Sequence, residues 1–224
     1  MIKRLLRKYQ TWRYANSQKY KVKQDGTLLN AFYNTKTIFI HIPKTAGVSL
    51  LNVIYDDVIL LESHRSMYFN KIALNIKSDK YFSFTVVRNP FARLYSAYIF
   101  LEKGGINRLD KNAFDTHLAK FKDFEDFVLN GLNKRIIFQI THLIPQHEYL
   151  CDLKGNIEVD FVGRFENLEK DIKSLSSKLG KEIVLSHLNK NTNKLNYTDV
   201  YTCEMIQKVN KVYKQDFEIF KYTF

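Results

Sequence analysis

The chain has 224 residues, 45% of them hydrophobic and 26% charged, enough to bury a sizeable core and too apolar for intrinsic disorder. With 35 Lys and Arg against 23 Asp and Glu it carries a formal charge of +12, which points to anionic partners: nucleic acid, an acidic membrane surface, a phosphorylated cofactor or an acidic polymer. Three prolines and eight glycines exclude collagen-like and Pro-rich architectures, no apolar run reaches the roughly 20 residues of a membrane span, and two cysteines make no disulfide framework.

Residues 1–30 read as a basic arm or peripheral surface helix, and residues 31–224 as a single domain. The stretch MIKRLLRKYQTWRYANSQKYKVK lacks the 7–15-residue apolar segment of a signal peptide. A cytoplasmic location is therefore expected, with peripheral contact to a membrane surface left open. Thr37 to Ile42 is β-branched and aromatic and ends at Pro43, which predicts a buried strand. The small-residue turn Lys44-Thr45-Ala46-Gly47 leads into a helix over 48–55. A short strand at Val58–Leu61 and a helix over Met67–Lys77 follow. Tyr81 to Val87 predicts a second buried strand, stopped by Arg88-Asn89-Pro90, and Pro90 opens a helix over 90–103. The span 105–150 reads as mostly helical and irregular, with Asp123 as an N-cap and Gly131 as a stop. Ile157 to Val162 alternates as a strand. The next helix puts Leu168, Ile172, Leu175 and Leu179 on one face, with Gly180 as its C-cap. Residues 203–216 predict one last helix. Strands alternating with helices indicate an α/β fold, P-loop-like and three-layered, with a mainly parallel central sheet flanked by helices.

In such sheets ligands bind beyond the carboxyl ends of the strands. Two strand ends here carry chemistry. In His41-Ile42-Pro43-Lys44-Thr45-Ala46-Gly47-Val48-Ser49, a small-residue loop entering a helix offers backbone N–H groups to a phosphate. Lys44 adds a point charge, and Thr45 and Ser49 add hydroxyls. Lys44 precedes Gly47, unlike the Walker arrangement, in which Lys follows the last Gly. No Walker-type Asp follows a strand, so an ordinary NTPase is disfavoured. In Arg88-Asn89-Pro90-Phe91-Ala92-Arg93-Leu94-Tyr95-Ser96, Arg88 ends a buried strand, where a guanidinium needs an anionic partner. Either a ligand phosphate, shared with Ser96, or a buried carboxylate would serve.

Together the two segments are more specific. HIPKTAGVS followed some forty residues later by FTVVRNPFARLYSAY resembles the two donor-binding signatures of sulfotransferases that use 3′-phosphoadenosine-5′-phosphosulfate (PAPS). The similarity is closest to the carbohydrate branch, which includes the uronyl 2-O- and chondroitin- and dermatan-type enzymes and their bacterial relatives. His142-Leu143-Ile144-Pro145-Gln146 resembles that branch's HxxPQ segment, and residues 159–168 resemble its VDFVGRFENL segment. His187-Leu188-Asn189-Lys190 matches a loop of the bacterial members. The resemblance implies that Lys44, Thr45, Gly47 and Ser49, with the loop N–H groups from Ala46 to Val48, hold the 5′-phosphosulfate. Arg88 and Ser96 would hold the 3′-phosphate, and Lys44 would neutralise charge on the bridging oxygen. Two departures stand out: Val48 where the family usually has Thr, and Ile144 where it often has Arg.

Sulfuryl transfer to a hydroxyl needs a base, and His is suited to this near neutral pH. Of His41, His64, His117, His142, His147 and His187, His64 is the expected base. It follows the short strand at the sheet end of the donor loops, and it aligns with a His resembling the base of the 2-O-sulfotransferase branch. His142, Gln146, Arg65 and Arg164 are candidate acceptor contacts, Arg164 having Glu166 as an alternative partner. Arg93, Lys190 and Lys194 could serve an anionic acceptor, but each singly reads better as a solvated charge. No metal is expected: His142 and His147 are poorly spaced for one, and no Cys pair supports zinc. The expected reaction is transfer of a sulfuryl group from PAPS to a saccharide hydroxyl, with 3′,5′-ADP (PAP) as product. The acceptor could be an oligosaccharide, a polysaccharide or a glycolipid, and could itself be anionic; a bacterial setting is expected. The rivals are a kinase-like phosphoryl transferase and a non-catalytic polyanion-binding module. Nucleic acid is disfavoured because the aromatics sit in apolar segments rather than interleaved with basic residues.

Overall fold

The computed structural model describes residues 2–55, 58, 63–76, 81–185 and 196–224. Uninterrupted runs of β-branched and aromatic residues form β1 (Thr37–Ile40) and β2 (Phe82–Val87), and Phe161–Arg164 forms β3. All pairing is parallel, in the order β1-β2-β3, with Phe39 opposite Phe84 and Val87 opposite Arg164. Ser83 to Val87 are all buried, as the middle strand of a parallel sheet requires.

In chain order the helices are α1 (Ile2–Ser17), α2 (Leu28–Thr35), α3 (Gly47–Ile54), α4 (Met67–Ala73), α5 (Pro90–Glu102) and α6 (Arg108–His117). They continue as α7 (Phe124–Asp126), α8 (His147–Leu150), α9 (Leu168–Leu179), α10 (Cys203–Val212) and α11 (Lys214–Phe220). The fold is α/β with a parallel sheet flanked by helices, as the alternation of elements predicts.

The chain divides into two compact units. The first comprises Met1–Ile42, Ala46–Val87 and Glu148–Leu188, and holds the sheet. Its core stacks Phe39 on Phe84 at 5.1 Å and sets Phe32 edge-on to Tyr55 at 5.1 Å. Burial pushes the Tyr55 hydroxyl's pKa up, and the hydroxyl is paired with Thr37 Oγ1 at 2.9 Å. The second unit comprises Pro43–Thr45, Arg88–His147 and Asn189–Phe224. Its core joins Phe91, Leu94, Tyr98 and Leu101 of α5 to Phe127, Ile137, Leu143, Met205 and Val209.

Local signals account for several boundaries. Asn89 caps α5 by accepting from Phe91 N at 2.9 Å, with Pro90 at its first turn. Asp123 caps α7 through Asp126 N, and the π-helical turn Phe127–Gly131 ends where Gly131 was expected to stop the helix. Gly180 closes α9 at φ 62.

Other boundaries depart from expectation. The alternating run at 157–162 pairs with β2 only from Phe161 on. Asp160 instead turns its carboxylate onto Ser83 N and Oγ, at 2.7 and 2.6 Å. Helix α4 ends at Ala73 rather than Lys77, where Asn75 reverses the chain at φ 52. The single helix expected over 203–216 is two, broken at Tyr213. There the Tyr213 hydroxyl reaches Leu143 O at 2.8 Å, and Asp216 accepts from Gln146 N and His147 N. Helix α2 lies within the stretch read as peripheral through residue 30 and beyond it; Thr27 caps it, and Leu29 and Phe32 are buried. The expected strand at Val58–Leu61 and the loop at 187–190, like Lys194, lie outside the described residues.

Candidate functional site

Between β1 and α3 the chain makes a tight turn whose strain falls on residues that have a Cβ. Lys44 stands at φ 69 and Ala46 at φ 65. Left-handed conformations of this kind cost about 1–2 kcal/mol per non-glycine residue, so the surroundings must hold them in place. Gly47 opens α3 without a positive φ; its requirement is space. A Cβ there would lie 1.8 Å from the His41 ring carbon Cδ2. Thr45 is fully buried, Val48 is exposed, and Ser49 is half-buried in the first turn of α3.

In the second unit Lys44 is placed beside like charge. The Arg88 guanidinium donates to the Lys44 carbonyl at 3.2 Å, and the Lys44 ammonium lies 3.9 Å from the centre of the Phe100 ring. Burial, and secondarily the Arg88 charge, hold the Lys44 amine down at about 8, against the opposing pull of Asp110. His142 packs its ring 5.0 Å from Phe100 and brings Nδ1 to 3.8 Å from Asp110 Oδ1. Asp110 accepts from Ile106 N, and Gly105, at φ 65, leaves it room: a Cβ there would lie 2.1 Å from Asp110 Cβ.

The backbone of Arg88 is gripped by Gln146. Arg88 N donates to Gln146 Oε1 at 2.9 Å, and Gln146 Nε2 donates to Arg88 O at 2.8 Å. Gln146 is fully buried, and its own N–H is taken by Asp216. Its amide is thus paired with the Arg88 backbone, a positioning contact, where the sequence suggests a candidate acceptor contact. His147, against the same Asp216 at 2.6 Å, is buried. Ser96 is half-buried on α5, the helix that starts two residues after Arg88.

Arg93 is the clearest surprise. The sequence favours a solvated charge over an acceptor contact, yet Arg93 is 2% exposed. Its guanidinium donates to Pro43 O at 3.1 Å, His142 O at 3.2 Å and Ile144 O at 2.8 Å. It ties the Lys44 loop to the HLIPQ segment. Its position one helical turn after Asn89, in an apolar helix, was the available signal.

In the first unit, His64 lies at the carboxyl end of β1. Its Nδ1 is 3.1 Å from the His41 carbonyl, an acceptor, so Nδ1 carries a proton and in the neutral ring the lone pair is on Nε2. The His41 ring stands 4.2 Å from that of His64, and its Nδ1 pairs with Ser63 Oγ at 2.9 Å. Of the other candidates in this unit, Arg65 donates to Tyr14 Oη at 3.0 Å and lies over the Tyr14 ring. Arg164 ends β3, its N–H held by Asp171 at 2.6 Å.

Residues 31–223 match the family model described as "Sulfotransferase family". An uncharacterized protein of Archaeoglobus fulgidus is 32% identical over 103 residues, 46% of this chain and 70% of that protein. No solved structure matches the chain.

Proposed function

Because the chain belongs to the sulfotransferase family, we propose that it transfers a sulfuryl group from PAPS to a saccharide hydroxyl. The observation that carries this reading is the Lys44–Arg88 pair: two cations held side by side, Lys44 on a strained turn and Arg88 just past β2, with burial holding the Lys44 amine down at about 8. Two cations so placed, with Asp110 as an opposing charge on Lys44, favour an added anion. A donor with phosphate groups at both its 5′ and 3′ positions is such an anion.

PAPS supplies an activated sulfuryl group, whose S–O bond to the 5′-phosphate breaks as a bond to the acceptor oxygen forms. In this reading Lys44, Thr45, Ser49 and the N–H groups of Ala46 to Val48 hold the 5′ end. Arg88, fixed by Gln146, holds the 3′-phosphate together with Ser96. At pH 7 Lys44 is mostly protonated, so its ammonium neutralises charge on the departing phosphate oxygen. His64 Nε2 takes the acceptor's proton, while the His41 carbonyl keeps the proton already on Nδ1 in place. The saccharide acceptor is supported by the resemblance of residues 142–146 and 159–168 to the carbohydrate branch. His142 and Arg164 are assigned to acceptor recognition on the same ground, and Arg65 as a cation for an anionic acceptor.

A thermal shift with PAP, ADP and ATP, without magnesium, tests the reading. At 100 times its dissociation constant a ligand adds about 2.7 kcal/mol. For a chain of this size that is a rise of roughly 5–11 °C. A rise with PAP alone is expected; a rise with ADP or ATP but not PAP would overturn the donor assignment in favour of phosphoryl transfer.

A further inference from the structure

Helix α1 is amphipathic in the reverse of the usual sense. At 100° per residue, Arg4, Arg7, Lys8, Thr11, Tyr14 and Ala15 share one face, and that is the face packed on the first unit. Arg4 donates to the carbonyls of Asp152 and Leu153 at 2.9 and 3.0 Å, and Arg7 pairs with Glu148 at 3.3 Å. Lys8 lies 4.2 Å from the centre of the Tyr68 ring, and Tyr14 sits 5.7 Å from Phe69 on α4. The opposite face carries Ile2, Leu5, Leu6, Tyr9 and Trp12, between 46% and 73% exposed. Tyr9 and Trp12 stack along it at 6.1 Å. Soluble proteins seldom leave a contiguous stripe of this kind in water.

The charge around the stripe says what it fits. Lys3 and Arg13 on α1, and Lys19 and Lys23 in the turn after it, are all exposed, beside Tyr20 at 63%. From Ile2 to Gln24 the sequence holds no Asp or Glu. An apolar stripe with aromatic residues along it and a one-signed basic border matches the boundary between anionic headgroups and acyl chains. No helix among the described residues is long and apolar enough to cross a membrane, so the helix would lie on the surface rather than span it.

We infer that the exposed face of α1 docks the protein on an anionic lipid bilayer, with Ile2, Leu5, Leu6, Tyr9 and Trp12 inserted at the acyl boundary and Lys3, Arg13, Lys19 and Lys23 on the headgroups. The inference does not depend on the sulfotransferase reading.

Trp12 is the single tryptophan of the chain, so its fluorescence reports on this helix alone. The full chain is mixed with vesicles of pure phosphatidylcholine, or with 30% phosphatidylserine, and followed by tryptophan emission and co-sedimentation. Binding to the anionic vesicles with a blue shift and loss of acrylamide quenching, weakened by salt, is expected. Lys3→Gln with Arg13→Gln should weaken it roughly thirtyfold, at about fivefold per basic residue. Leu5→Ser with Leu6→Ser should weaken it at least about tenfold, since each half-exposed leucine still has apolar surface to bury. Both double variants change exposed side chains and should keep the wild-type melting temperature. Equal binding to neutral vesicles would overturn the proposal. So would a concentration-dependent blue shift without lipid, which would assign the face to a second copy, or sedimentation of both variants like the wild type.

Discussion

His41 and His64 stand ring against ring at 4.2 Å, and each ring's Nδ1 meets a neutral oxygen, Ser63 Oγ or the His41 carbonyl. Lys44 and Arg88 are also neighbours, but there a guanidinium donates to the carbonyl of a residue whose own ammonium it repels. The first pair is at rest without a ligand: its bonds fix tautomer and orientation. The second sets two cations side by side, with Asp110 as an opposing charge on Lys44, and in the proposed reading an incoming anion adds to that compensation. In the proposed reading the first arrangement suits a group that moves a proton, whose geometry must be set beforehand, and the second suits groups that receive an anion.

Breaking the histidine side should have the largest effect. His64→Ala is expected to lower turnover by roughly 10²–10⁴ while PAP affinity, measured by calorimetry, stays within a factor of two. Unchanged turnover would remove His64 from the mechanism. On the cation side, Arg88→Ala should cost about 1.5–3 kcal/mol of PAP affinity, the value of a hydrogen bond to a charged group. Gln146→Leu separates charge from placement: it keeps the guanidinium but leaves the Arg88 backbone N–H and C=O unpaired. A loss of about tenfold in PAP affinity is expected, with a lower melting temperature; wild-type affinity would show that Arg88 needs no such clamp.

The smallest effect is the dependence on pH. The folded pKa of Lys44, about 8, lies below its ordinary 10.5, so between these values the unfolded chain binds the extra proton. Burying Lys44 therefore costs stability in full below pH 8, and the cost is relieved as pH rises towards 10.5. PAP, needing the ammonium, should bind about fourfold more weakly at pH 8.5 than at pH 7, by the fraction of Lys44 deprotonated. Lys44→Met should flatten that profile and raise the melting temperature at pH 7. A profile with the same slope in the variant would assign the titration to another group.

Much of the fold was legible because its signals are local. The apolar runs of β1 and β2, Pro90 behind Asn89, the Asp123 cap and Gly180 each act within a few residues of themselves. What was not legible depends on partners distant in sequence. Asp160 leaves its strand for Ser83, Tyr213 breaks a helix for Leu143, and Gln146 spends its amide on Arg88. The site shows the same division. A lysine in a small-residue turn between a strand and a helix was readable from the sequence, but the reason for Gly47 was not. That reason is the His41 ring six residues upstream, packed where a side chain would go. Arg93 was misread because arginine in a sequence looks solvated, and only the fold shows three carbonyls converging on it.

That convergence bears on the order of assembly. Of the acceptors of the Arg93 guanidinium, one is at residue 43 and two lie about a hundred residues later, at 142 and 144. While the chain is being synthesised, the link from the turn at Lys44 through Arg93 to residues 142 and 144 cannot close until Ile144 has emerged. The sheet strands β1 and β2 are complete well before that. Contacts of such long range form late, because loop closure must precede them. Pulse-labelled hydrogen exchange during refolding should accordingly find Ile40 N–H protected before Arg88 N–H, whose acceptor is Gln146 Oε1 in the late-arriving segment.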